Sequence, residues 1–77
     1  MKNYLMEVLE IENSSAIAKV SFDYDENQVG VAYTYKPELF YVFGCDDVSS
    51  VREQIEFAES VGKFISQLKK EGTLQKI

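Results

Sequence analysis

Five tyrosines are the residues of this chain with the clearest capacity to bind a ligand: Tyr4, Tyr24, Tyr33, Tyr35 and Tyr41. Aromatic rings on the face of a sheet can stack the bases of a single-stranded nucleic acid. The same rings can instead fill a strand face beneath helices, with their hydroxyl groups reaching the rim. Stacking surfaces usually have basic neighbours, whereas acidic residues surround Tyr24 in the sequence. The sequence therefore favours a structural role for the tyrosines.

Four lysines near the C-terminus are the second group that could bind a ligand: Lys63, Lys69, Lys70 and Lys76. Residues 1–59 carry four basic and twelve acidic side chains, a balance of −8, while residues 60–77 have a balance of +3, for a net charge of −5. A nucleic acid would be repelled by the whole molecule and attracted by this end of the chain. Lysines also favour a helix C-terminus through the helix dipole, which is the explanation that the sequence favours.

Carboxylates and a lone cysteine are the only other groups whose chemistry needs consideration. Asp46 and Asp47 precede a predicted helix, where capping explains them better than acid–base catalysis. Residues 23–27 lack the ligand spacing and glycine of a calcium loop, which predicts a solvated hairpin tip. Cys45 stands beside two aspartates, which disfavour its thiolate, and the chain has no histidine to activate it. We therefore predict no catalytic residue, no metal site and no cofactor, and a protein that is not an enzyme.

Length and composition predict one small domain that spans residues 1–77. The longest apolar run is too short to cross a membrane, and charged residues interrupt the apolar N-terminal stretch, unlike a signal peptide. A single cysteine excludes an internal disulfide and favours a reducing compartment, so we expect a cytoplasmic protein.

Alternating hydrophobicity predicts strands at residues 4–11, 17–24, 29–35 and 39–43, although a helix remains an alternative for the first of these. In the second strand the pattern places Ile17 on the face opposite Val20 and Phe22. Gly30 lies on the face opposite its valine neighbours, where a bulge or a close approach of the backbone is expected. Residues 39–43 are apolar on both faces, which predicts a central or helix-covered strand.

The period then changes from two to about 3.6, and an apolar helical stripe follows: Val48, Val51, Ile55, Ala58, Val61, Ile65 and Leu68. Ser50 and Glu53 match a capping box at its start, and Gly72 is a stop signal. One helix over residues 50–71 would be about 33 Å long and would overhang the sheet. Because Ser60 can cap a helix and Gly62 permits close packing, we predict two helices joined at residues 60–62. One kinked helix is the alternative.

The order and spacing of several short motifs over about residues 14–70 resemble the KTSC domain. This family is named for a C-terminal extension of some lysyl-tRNA synthetases, and it also occurs as small stand-alone bacterial and phage proteins. The motif residues with the closest resemblance, for which we expect a structural role, are Tyr41, Phe43, Ala58, Ser60, Gly62 and Phe64. The other matching positions are Ser15, Ile17, Val20, Phe22, Tyr24, Asp25, Val29, Val31 and Tyr33.

The chain departs from the family pattern at two points. The family's Tyr-x-Tyr corresponds here to Tyr41 and Phe43, so the second hydroxyl is lost. The proline that usually follows is absent, and residues 44–47 stand in its place. By its attachment to a synthetase, the resemblance implies RNA as a partner.

Together these observations predict an α+β fold, in which a three- or four-stranded antiparallel β-meander packs against two C-terminal α-helices. The function predicted first is a non-catalytic protein-interaction module that uses a sheet edge or an acidic face, and its acidic residues would attract a basic protein partner. The alternative is a weak RNA- or nucleic-acid-binding module that uses Lys63, Lys69, Lys70 and Lys76. The sequence also leaves a homodimer open and predicts no membrane partner.

Overall fold

The computed structural model describes residues 6–12 and 14–77 of the chain. These residues form one antiparallel sheet in the order β1-β2-β3-β4-β5 and two helices. The strands and helices are β1 (Met6–Glu10), β2 (Ile17–Asp23), β3 (Gln28–Tyr33), β4 (Phe40–Gly44), α1 (Val48–Phe57), α2 (Val61–Glu71) and β5 (Gln75–Lys76). The predicted α+β meander is confirmed, with one strand more than expected. The additional strand, β5, has two residues and is too short to show an alternating pattern.

The first segment is a strand, which excludes the helical alternative for the residues described. It pairs antiparallel with β2, from Met6 opposite Asp23 to Glu10 opposite Lys19. The predicted residues 4 and 5 lie outside the described part of the chain.

A β-bulge changes the faces of β2. The register between β2 and β3 shifts between Ile17 and Lys19. Ile17 is therefore 1% exposed and lies in the same core as Val20, although strict alternation placed the two on opposite faces. A bulge adds one residue to one strand and so reverses the parity beyond it.

Both helices pack on one face of the sheet. The core contains apolar side chains from that face and from the helical stripe: Ile17, Val20, Phe22, Val29, Val31, Phe43, Cys45, Val48, Val51, Ile55, Val61, Ile65, Leu68 and Leu74. On the other face Gly30 permits close packing, because a β-carbon there would press on Ser21 Oγ and lie 3.3 Å from Phe40 Cδ1. The close approach predicted at Gly30 is confirmed.

The fourth strand differs from the prediction. Tyr41 is 41% exposed and Val42 is 44% exposed, so neither face of β4 is fully covered. The helices cover the sheet only in part, and β5 pairs only with Phe43 and Gly44. β4 therefore lies between two strands, as expected of a strand that is apolar on both faces, but the helices do not fully cover it.

The two-helix prediction is confirmed, and one cap is corrected. Ser60 caps α2, because its side chain accepts a hydrogen bond from the backbone N–H of Lys63 at 3.3 Å. Gly72 ends α2 with a left-handed φ of 86°. At α1 the cap is Asp47, whose Oδ1 accepts from the N–H of Ser50 at 3.0 Å. The predicted capping box at Ser50 is therefore wrong, while the capping role predicted for Asp47 is right.

One ionic network connects the first strand to the first helix. Arg52 of α1 donates from Nε to Glu7 Oε1 at 3.0 Å and from Nη2 to Glu7 Oε2 at 2.9 Å. Tyr24 donates its hydroxyl to the same Oε1 at 3.0 Å. These hydrogen bonds, from Arg52 first and Tyr24 second, hold the pKa of Glu7 below its usual value.

This network predicts a pH dependence of stability. Because the pKa of Glu7 is lower in the folded state, its contribution is present at neutral pH and is lost as the pH falls below about 4.3. Glu7→Gln is therefore expected to be less stable than the parent protein at pH 7 and to approach it in acid. Urea unfolding across this range measures the effect. Glu10→Gln is the matched control, since Glu10 lies on the same strand, is exposed and takes no part in the hydrogen bonds to Arg52 and Tyr24. A difference for Glu7→Gln that stays constant with pH would contradict this account.

Candidate functional site

A groove lies between α2, the start of β2 and the end of β3. Its volume is about 990 Å³, and it is open to solvent. The residues that line it are Ser14, Ser15, Ala16, Ile17, Tyr33, Ser60, Gly62, Lys63, Ile65, Ser66, Gln67, Lys69 and Lys70. We call it the α2 groove.

One wall of the α2 groove is a polar stripe of α2. Lys63, Ser66 and Lys70 recur at helical spacing beside the buried stripe of Val61 and Ile65. The three lysines of the wall, Lys63, Lys69 and Lys70, are all exposed along two turns of the helix. The same helical spacing that buries Val61 and Ile65 thus places the lysines of α2 along the groove.

The opposite wall is the loop that precedes β2, and hydrogen bonds fix its shape. Ser14 Oγ accepts from the backbone N–H of Ile17 at 3.1 Å. Thr34 binds the same loop twice, donating from its N–H to Ala16 O and from its hydroxyl to Ser15 O, each at 2.9 Å. These hydrogen bonds hold the loop against the end of β3.

Gly62 lies where α2 faces the loop before β2. A β-carbon on Gly62 would lie 3.7 Å from Ala16 Cβ and 3.9 Å from Ser14 Oγ, which is van der Waals contact. Any larger side chain would project into the α2 groove, which Gly62 lines. The close approach to the sheet or to the first helix that we expected at Gly62 is not found, because the nearest atoms belong to the loop before β2 and lie at ordinary contact distance.

Three tyrosines form an aromatic cluster at the groove. Tyr33 lines the groove and stacks on Tyr35, with ring centroids 5.8 Å apart and planes inclined at 22°. Tyr41 packs edge-on against Tyr33 with centroids 5.6 Å apart. The Tyr41 hydroxyl also raises the pKa of Tyr35, by hydrogen bonding and by its charge. We call Tyr33, Tyr35 and Tyr41 the tyrosine cluster.

The structural role predicted for the tyrosines holds for some and fails for others. Tyr24 and Tyr33 are half-buried and pack against the core, as expected. Tyr35, however, is 73% exposed and Tyr41 is 41% exposed, so they do not fill a covered strand face. Tyr33 has basic neighbours that are distant in the sequence, since Lys69 and Lys70 line the same groove.

Charge is distributed unevenly over the molecule. Among the described residues that line the α2 groove there are three lysines and no carboxylate, although the chain has a net charge of −5. At the other end of the β2–β3 hairpin, the backbone N–H of Cys45 donates to Asn27 O at 2.8 Å and holds two acidic loops side by side. The exposed carboxylates of these loops are Asp25, Glu26, Asp46 and Asp47.

The structure brings together three of the four predicted lysines. Lys63, Lys69 and Lys70 line the groove, and Lys69 Nζ lies 5.5 Å from the ring centroid of Phe43. Lys76 lies in β5, opposite Phe43, and is not one of the lining residues.

The motif residues of the KTSC resemblance divide into two groups. Phe43, Ala58 and Phe64 pack in or against the core. Ser60 and Gly62 shape the helix joint and also line the groove, while Tyr41 belongs to the tyrosine cluster. Ser14 and Ser15 were missed as groove residues because their sequence indicates only a turn.

The cysteine offers no nucleophile. Cys45 is 4% exposed, and burial raises the pKa of its thiol, with a further increase from the two neighbouring aspartates. Over residues 6–12 and 14–77, no group of three or more histidine, cysteine or acidic side chains could hold a metal ion. No helix within those ranges is long and apolar enough to cross a membrane.

Comparison with known proteins gives no match to a family model, to a curated protein or to a solved structure. The resemblance to the KTSC domain therefore stays a prediction from the sequence motifs.

Proposed function

We propose that this protein is a non-catalytic module that binds the phosphate backbone of a nucleic acid, RNA in the first instance, in the α2 groove. The observation that carries the proposal is the convergence of Lys63, Lys69 and Lys70 on one groove whose described lining contains no carboxylate. Of the two functions that the sequence predicts, the geometry favours this one. The single buried cysteine and the KTSC resemblance support a cytoplasmic setting, which is part of the proposal.

The lysines are arranged to follow a chain of charges rather than to hold one ion. Lys63 and Lys70 are seven residues apart, which is about 10 Å along the helix axis. Hydroxyl groups that can donate to phosphate or sugar oxygens lie between and opposite them, on Ser66 and Ser14. An extended anionic backbone matches this arrangement better than a compact anion does.

The balance of charges predicts weak binding that depends strongly on salt. At low salt, where electrostatic interactions reach further, the net charge of −5 repels an approaching nucleic acid. Within the groove the nearest charges are the lysines, so attraction prevails only at contact. The lysines neutralise only a few phosphates, and the rest of the molecule repels the nucleic acid. We therefore expect a modest affinity.

The test is the salt dependence of RNA affinity for single lysine variants. Fluorescence anisotropy with a labelled oligouridine, between about 50 and 200 mM salt, gives the slope of log K against log salt. Each of Lys63→Gln, Lys69→Gln and Lys70→Gln is expected to reduce the magnitude of that slope by about 0.7, because each removes one phosphate contact to a single strand.

The matched control is Lys19→Gln, which removes one charge from β2 outside the groove lining. It is expected to leave the slope unchanged. Equal effects of Lys19→Gln and the groove variants would show that net charge alone governs binding and would contradict the proposed site.

A second candidate function, interaction with a basic protein, is supported by the two acidic loops that Cys45 and Asn27 hold together. A basic partner would be attracted to Asp25, Glu26, Asp46 and Asp47. Replacing Asp25 and Glu26 by asparagine and glutamine should then weaken binding to a cationic peptide such as oligolysine. Unchanged binding of the peptide would contradict this second candidate.

A further inference from the structure

We propose that the tyrosine cluster stacks unpaired bases, so that the α2 groove selects single strands over duplexes and over base-free polyanions. This inference rests on the proposed function of the groove and specifies the class of nucleic acid that it takes. The lysines account for attraction to phosphate, which every nucleic acid and polyphosphate carries. The tyrosines supply a contact that only a base can make.

The geometry of the cluster leaves an aromatic surface available. Tyr33 occupies one face of the Tyr35 ring, since the two rings stack at 5.8 Å and 22°. Tyr35 is nonetheless 73% exposed, so its other face is open to solvent. Tyr41 supports Tyr33 from the side at 5.6 Å and holds the stack in place. A base that stacks on Tyr35 therefore extends an ordered aromatic column.

The position of the cluster connects it to the phosphate-binding wall. Tyr33 belongs both to the stack and to the lining of the groove that contains Lys63, Lys69 and Lys70. Tyr35 and Tyr41 do not line the groove themselves but pack on Tyr33. We therefore expect a strand whose backbone follows the lysines to bring its bases to the cluster through Tyr33. In a duplex the bases are paired and stacked on one another, which keeps their faces from the protein.

The chemistry of the rings suits recognition without strong sequence preference. Every base has a π-face, and each stacking contact on an aromatic side chain typically changes affinity by about tenfold. An aromatic side chain exposed on a loop also costs little to remove, so its replacement should not unfold the protein.

The experiment compares three probes of equal length at low salt: a labelled oligouridine, an abasic phosphodiester oligomer and an RNA duplex. Wild-type protein is expected to bind oligouridine about tenfold more tightly than the abasic oligomer. Tyr35→Ala is expected to remove that preference and to leave the abasic affinity unchanged. Tyr35→Phe should retain it, because the ring and not the hydroxyl makes the contact.

Phe57→Ala is the matched control, since Phe57 is 80% exposed at the end of α1 and does not line the groove. Equal affinity of the wild type for oligouridine and the abasic oligomer, with both still sensitive to Lys63→Gln, would overturn the stacking role and leave the proposed function standing. Tighter binding of the duplex than of oligouridine would also overturn it. Failure to bind any probe would overturn the proposed function together with this inference.

Discussion

Phe22→Ala is expected to lower the free energy of unfolding by about 3–5 kcal/mol, the largest effect of any substitution considered. Phe22 is fully buried near the end of β2, between the paired positions Glu7 of β1 and Val29 of β3. Removing its ring loses the transfer free energy of the side chain and leaves a cavity under the helices. A chain of 77 residues has about 4–12 kcal/mol of stability in total, so the loss is a large fraction of it.

Urea unfolding followed by circular dichroism measures this loss. Phe57→Ala is the matched control, because it removes the same ring from an exposed position and should change stability by less than about 0.5 kcal/mol. Similar unfolding midpoints for the two variants would mean that the core is not centred on the helix-covered face of the sheet.

Gly30→Val is expected to destabilise the protein by about 1–3 kcal/mol, although valine favours strands. A β-carbon at Gly30 would already press on Ser21 Oγ and approach Phe40 Cδ1 to 3.3 Å. The two methyl groups of valine would force both neighbours out of place. If Ser21 is the main obstacle, the double variant Gly30→Val with Ser21→Gly should recover part of the loss.

Gly44→Val is the matched control in the same sheet. A β-carbon at Gly44 would meet only Gln75 O at 3.8 Å and Ile77 Cγ1 at 4.0 Å, which are ordinary contacts. The melting temperature of Gly44→Val should therefore exceed that of Gly30→Val. The reverse order would contradict the close packing described on the helix-free face.

Local signals in the sequence were sufficient for the order of elements and for the break between the helices. Ser60 and Gly72 act through their own backbone neighbours, as a cap and a left-handed stop, so their roles follow from the local sequence. The apolar stripe likewise identified the residues that α2 buries, including Val61 and Ile65.

Features that depend on distant parts of the chain were not predictable in the same way. The bulge that moves Ile17 into the core depends on the register with β3, which the alternation of one strand does not contain. At α1 the sequence offers both Asp47 and Ser50 as caps. The helix begins at Val48, so Asp47 is the cap and Ser50 lies within the first turn.

The candidate site shows the same division. The lysines were identified from charge alone, but their place beside Tyr33 depends on how α2 lies across the sheet. Tyr33 is 30 to 37 positions away from Lys63 and Lys70 in the sequence, and no short motif indicates that they line one groove. The missing information was the direction of α2 over the strands, which tertiary packing decides.

The central claim, that the α2 groove binds a nucleic acid backbone, is tested most directly by titrating the isotope-labelled protein with oligouridine and recording amide NMR shifts. At low salt the account predicts shifts confined to residues 14–17, 33–35 and 60–70, which reverse when salt is raised. Shifts centred on the acidic loops, shifts that persist in high salt, or an unchanged spectrum at high RNA excess would contradict it.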